Sequence, residues 1–208
     1  KWVLFKASKP SISENKTSSH IFIISSNGKE KIQLTKGTDP VSDPVWSPNS
    51  NKIAYIQSKD GINYIYTQDI PHGVPNKIAT YHEEIGNLMF SPNGEHFSFT
   101  KQVKVRKTVA EKYPDCAKAN VRIYDELPVR HWDHWINETV SHLFIMPVSG
   151  PASFAKDIMP GEPYDTPLVP FGGKNEIAWS PDSKQIAYTC KKYSGVDFAR
   201  NTNSDIYV

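Results

Sequence analysis

PVWSPNSNKIAY at residues 44–55 and EIAWSPDSKQIAY at residues 176–188 spell the same hairpin twice, and NLMFSPNGEHFSF at residues 87–99 spells it a third time. In each, an aromatic residue (Trp46, Phe90 or Trp179) ends one apolar strand, and a Ser-Pro turn leads into a β-rich return strand. Pro48, Pro92 and Pro181 preset the backbone angle wanted at the second position of a type I turn, while Asn49, Asn93 and Asp182 suit the next position. The interval from Trp46 to Phe90 is 44 residues, and that from Phe90 to Trp179 is 89, close to twice as long. A period in the forties built from short strands marks a β-propeller, in which each repeat forms one four-stranded blade.

The remaining strands of each unit follow in phase. Third strands read HIFIISSNG from His20, NYIYTQD from Asn63, HLFIMPV from His142 and SDIYV from Ser204; fourth strands read EKIQLT, NKIAT and AKDIM. A sandwich or an up-and-down barrel also needs many short strands, but neither predicts a four-strand unit repeated with its own turn residues. The expected fold is therefore all-β, a β-propeller of four-stranded blades with about four blade units over residues 1–208. KWVLF at Lys1 reads as a return strand without its partner and SDIYV as a third strand without a fourth, so the pattern is that of a fragment of a larger ring. A four-bladed ring closed by joining the two terminal pieces is the alternative. Unpaired edges at both ends would favour self-association, hence a homo-oligomer.

Composition narrows the function classes. The 208 residues carry 24 Lys and Arg against 22 Asp and Glu, so no electrostatic footprint for nucleic acid emerges. No stretch approaches the roughly 20 apolar residues of a membrane span, and the first residues lack the pattern of a signal peptide. Cys116 and Cys190 are far apart and outside any CxxC spacing, which leaves two free thiols or one bridge. No GxSxG elbow, phosphate loop or HExxH motif occurs, so the chain by itself is expected to catalyse nothing and to need no cofactor.

The doubled interval hides an insertion. The strand ending near Phe99 should be followed about nine residues later by the third strand, yet HLFIM arrives only at His142, which places the excess inside one blade at residues 101–141. Pro114 and Pro128 interrupt its helix-compatible parts, so a loop with short helical turns is expected. Its densest part is RHWDHW, residues 130–135. Arg130, His131, Trp132, Asp133 and Trp135 could bind a ligand through a cation, an acid and two flat faces. The plainer reading has Trp132 and Trp135 anchoring the insertion while Arg130 and Asp133 form a structural ion pair. His131 and His134 lack further ligands at defined spacing, so no metal site is assigned. Glu83 and Glu84, just before a hairpin, could hold a substrate ammonium group, whereas neighbouring acids on a loop commonly diverge into water. Asn15-Lys16-Thr17 and Asn137-Glu138-Thr139 match the glycosylation pattern, which arises often by chance.

The hairpins resemble the propeller repeats of TolB and of the prolyl oligopeptidase class of serine peptidases. KWVLFKASKPSISENKTSSHIFI, KYPDCAKANVRIYDELPVRHWDHW and FARNTNSDIYV are more particular, and look like the N-terminal propeller of the dipeptidyl peptidase V and acylaminoacyl-peptidase branch. The resemblance covers essentially the whole chain and implies a parent exopeptidase. In it, a propeller of about seven or eight blades caps an α/β-hydrolase domain that carries the Ser, Asp and His of the triad. None of the three has a counterpart here. The implied role of the chain is to exclude large substrates and help hold a peptide substrate, with the hydrolase domain of the same parent as its partner. The branch further implies a periplasmic or secreted location, and it moves residues 130–135 towards a cavity-lining role. A sister branch uses a Glu pair for the substrate amine, in a different sequence setting, so the resemblance implies a substrate-binding role for Glu83 and Glu84 only by a looser analogy. The rival reading is a TolB-like scaffold for protein partners; a carbohydrate-binding propeller rests only on the exposed aromatics Trp132 and Trp135.

Overall fold

The computed structural model describes residues 1–116 and 118–208, with His131 described by its backbone alone. Four successive antiparallel meanders follow the repeat. The first is β1 (Trp2–Ser11), β2 (Lys16–Ser25) and β3 (Lys31–Gln33); the second is β4 (Val41–Trp46), β5 (Lys52–Lys59), β6 (Ile62–Asp69) and β7 (Asn76–Tyr81). The third opens with β8 (Ile85–Phe90) and β9 (His96–Lys104). After α1 (Val109–Lys112) and the short ribbon β10 (Arg130–His131) and β11 (His134–Trp135), it closes with β12 (Thr139–Pro147) and β13 (Lys156–Asp157). The fourth is β14 (Ile177–Trp179), β15 (Ile186–Cys190) and β16 (Asp205–Tyr207), with α2 (Gly195–Arg200) before its last strand. Order within each sheet is sequential apart from the ribbon, so β12 pairs beside β9 as the next strand of its blade.

The three turns share one hydrogen-bond scheme. The Ser47 amide donates to the Lys52 carbonyl, as Ser91 does to His96 and Ser180 to Gln185, at 2.8–2.9 Å. The same serine's hydroxyl oxygen accepts the return-strand amide, from Lys52 at 3.1 Å, His96 at 3.0 Å and Gln185 at 2.9 Å. That hydroxyl in turn donates to the side chain of Asn49, Asn93 or Asp182. The residue after the Asn or Asp takes a positive φ, at Ser50 (58°), Gly94 (75°) and Ser183 (61°). Proline and Asn/Asp set the turn as expected, but the serine ahead of proline ties it to the main chain.

A second repeated device lies three residues before each hairpin aromatic. Asp43 and Asn87 both adopt left-handed backbone there (φ 50° and 54°), and the Asp43 carboxylate accepts the Asn87 amide at 2.9 Å. Glu176 occupies the same place in the fourth unit and accepts the Thr189 hydroxyl at 2.6 Å, much as Asn87 donates to Thr100 at 3.1 Å. A polar side chain at this position thus ties its strand to a neighbour.

By contacts the chain divides into two compact units, Lys1–Thr100 with Phe144–Lys156, and Lys101–Leu143 with Asp157–Val208. In the first, Ile21, Val41, Ile53 and Tyr55 form a buried cluster against Leu4, Leu34, Trp46, Tyr66 and Ile70, and Phe99 packs between Tyr81 and Phe144. In the second, Val140, Leu143, Met159, Ile177, Ile186, Tyr188 and Cys190 are buried. Cys116 is exposed, Cys190 is buried, and both are free thiols; burial pushes the Cys190 thiol up to about 11.

Candidate functional site

Between β9 and β12 the chain leaves its blade at residue 105 and returns at residue 138, where the Val105 and Arg106 amides both donate to the Glu138 carbonyl. Helix α1 starts at a reciprocal cap: the Glu111 amide donates to Thr108 Oγ1 at 3.2 Å, and the Thr108 amide to Glu111 Oε2 at 2.8 Å. Pro114 ends the helix and opens one 3-10 turn, as the proline positions predict.

RHWDHW forms the β10–β11 ribbon, in which Arg130 pairs with Trp135 and His131 with His134 around a two-residue turn at Trp132 and Asp133. A two-residue turn closing a right-twisted ribbon demands a positive φ, and Trp132 supplies it at 53°. For a bulky side chain this is a strained backbone, of the kind that clusters at working sites. Trp132 is 74% exposed and meets the Phe171 ring edge-on, with centroids 5.9 Å apart and planes at 79°. Trp135 stacks on Tyr124 at 6.1 Å, with the guanidinium groups of Arg122 and Arg130 5.6 and 5.4 Å from its ring. The Tyr124 hydroxyl donates to the Ile136 carbonyl at 2.9 Å. This local cage, not burial, shapes the insertion.

Two sequence readings change here. The anticipated Arg130–Asp133 ion pair is replaced, because the guanidinium lies over Trp135 while Asp133 Oδ1 sits 3.2 Å from His134 Nε2. Neither tryptophan anchors the insertion by sinking into a core, since Trp135 is also 47% exposed. The His131 side chain lies outside the described residues, among which no cluster of three metal-ligating groups occurs. Glu83 and Glu84 stand exposed between β7 and β8 in the first unit, where the Glu83 carbonyl accepts the Asn63 side-chain amide at 2.9 Å. Residues 130–135 belong to the second unit, so each group is described by itself.

Sequence reasoning missed a polar seam in the second unit. His142 is fully buried, with Nδ1 2.8 Å from Asp157 and Nε2 2.8 Å from the Glu162 carbonyl. The Glu162 carboxylate accepts Lys192 Nζ at 2.8 Å, and Lys192 also covers the Tyr207 ring at 4.3 Å. Burial raises the Asp165 carboxyl, against the Ser141 amide at 2.8 Å and the nearby His142 and Arg106. The segment after β13 is thereby fixed against β12 and the residues that follow β15. No repeat pattern announced it, because its members are single polar residues scattered over β12, β13 and the connecting segments.

No family model matches the chain. Dipeptidyl-peptidase 5 of Porphyromonas gingivalis is 32% identical over 209 residues, an alignment that takes in all of this chain and 30% of that protein. The chain thus spans under a third of the length of the curated relative it matches. Among solved structures, an acylaminoacyl peptidase in complex with Z-Gly-Gly-Phe-chloromethyl ketone superposes with a TM-score of 0.64 at 12% identity, over 90% of this chain and 26% of that one. TolB from Acinetobacter baumannii superposes with a TM-score of 0.52 at 19% identity, over 91% of this chain and 34% of that one. The blades read from the repeat are those of these propeller proteins, and no helix among the described residues is long and apolar enough to cross a membrane. The chain has the β-propeller fold and is homologous, over its whole length, to under a third of dipeptidyl-peptidase 5.

Proposed function

We propose that this chain is the non-catalytic propeller portion of a serine exopeptidase, gating and helping to hold peptide substrates that a separate α/β-hydrolase domain of the same protein cleaves. The observation that carries the reading is the match along the entire chain to dipeptidyl-peptidase 5, insertion included. The arrangement of the insertion supports a contact role: its tip presents Trp132 on a strained turn, beside Asp133, His134 and the Arg130–Trp135 stack. Aromatic faces and paired charges of this kind suit the side chains and backbone of a short peptide. A secreted or periplasmic location goes with this reading.

The test is release of p-nitroaniline from a panel of dipeptidyl and acyl-aminoacyl p-nitroanilides by the full-length protein and by residues 1–208 alone. Cleavage by the full-length protein only, abolished by a serine-directed inhibitor, is the expected result. Absence of cleavage by both would replace this reading with that of a TolB-like scaffold.

A further inference from the structure

Two large rings of the second unit stand in water on turns that are themselves tied down. Trp132 is 74% and Phe171 83% exposed. Phe171 rides on a tight turn in which the Gly172 amide donates to the Leu168 carbonyl at 2.6 Å. A Cβ on Gly172 would lie 2.3 Å from that oxygen, so only glycine allows the turn. Glu176 holds it from below: one carboxylate oxygen accepts both the Leu168 amide at 2.8 Å and the Thr189 hydroxyl of β15 at 2.6 Å. The two ring planes stand at 79° to each other, and both rings are open to solvent.

We infer that Trp132 and Phe171 form a selectivity notch for one apolar side chain of the peptide substrate. The inference rests on the peptidase reading above and names the chemistry that residues 130–135 select. Size identifies the occupant. The two rings together offer at most about 500 Å², below the roughly 800 Å² that each partner buries in a stable protein interface. Two perpendicular ring faces fit a single branched or flat side chain, touching it on two sides and leaving the peptide backbone free to continue. Rings held on anchored turns lose little freedom when the side chain arrives, which is the condition for selectivity from a shallow apolar site.

The test is kcat/KM of the full-length protein on p-nitroanilides of Gly-Gly, Gly-Ala, Gly-Leu, Gly-Phe, Leu-Ala and Phe-Ala, for the wild type, Trp132→Ala, Phe171→Ala, the double variant and Phe171→Leu. The expected result is a loss of preference for the bulky apolar residue over glycine or alanine, at one substrate position, by about tenfold in each alanine variant. The double variant should lose little more than either single one, because the two rings share one occupant. Phe171→Leu should retain most of the preference. Preference ratios that stay at the wild-type value, including the case where kcat/KM falls equally for all substrates, overturn the inference and leave the pair as packing. A wild-type protein that cleaves none of the panel overturns the functional reading and this inference with it.

Discussion

The β4–β7 blade and the insertion at residues 105–138 are built on opposite principles. In the blade, β5 and β6 pair without interruption from Lys52 with Asp69 to Lys59 with Ile62, and four successive residues, Ile53 to Ile56, are buried. Tyr55 and Tyr66, cross-strand partners, stack at 5.6 Å. In the insertion no described residue is buried, and order comes from one helix cap, one ribbon turn and the cage around Trp135. Stability in the blade therefore rests on its buried side chains, whereas the insertion, held by local contacts at the surface, adds little to that core and has room to serve binding.

The sharpest break between the two is in stability. Ile53, on β5, is fully buried in the cluster with Ile21, Val41 and Tyr55, so Ile53→Ala should cost about 2–5 kcal/mol through lost burial and the cavity left behind. Ile123, in the insertion, is 43% exposed, and Ile123→Ala should stay within about 0.5 kcal/mol of the wild type. Equilibrium denaturation in urea reads both. Comparable losses would mean that the insertion folds as part of the core and that the contrast is wrong.

A smaller effect probes the repeat itself. Ser91 is fully buried, and its hydroxyl accepts the His96 amide while donating to Asn93. Ser91→Ala takes away the acceptor of that amide and should cost about 1–2 kcal/mol by the same assay. Its counterpart Ser180, in a turn more open to solvent, should cost less on substitution, because water can replace the lost partner. Equal costs would show that turn geometry, not burial, sets the value of the serine.

What the sequence made legible follows the same division. The blades were readable because hairpin aromatics, Ser-Pro turns and β-rich strands recur at a fixed interval. The serine bonds and the polar residue three positions before each aromatic were present in the text but invisible to a reading of hydrophobic pattern, since Asp43, Asn87 and Glu176 share only polarity. In the insertion, composition correctly suggested short helical turns around Pro114. It misassigned Arg130, because a guanidinium chooses between a carboxylate and an aromatic face by geometry that spacing does not encode. Phe171 gave no signal at all: its partner Trp132 lies 39 residues away, on another loop.

The finest probe of the insertion is the titration of its helix cap. Hydrogen bonds from Lys104 and Thr108 hold the Glu111 carboxyl down, from the ordinary 4.5 to about 2. A carboxyl whose pKa is lower in the folded state contributes its full stabilisation above 4.5 and loses it as the pH falls through about 2. The cap is therefore intact near neutral pH and opens only in strong acid. The Thr108 amide, which donates to Glu111, reports this directly: its proton resonance should titrate with a midpoint near 2, and Lys104→Gln should move that midpoint upward. A midpoint at 4.5 would mean that the reciprocal cap does not form in solution, and that the start of the insertion is ordered by the Glu138 carbonyl alone.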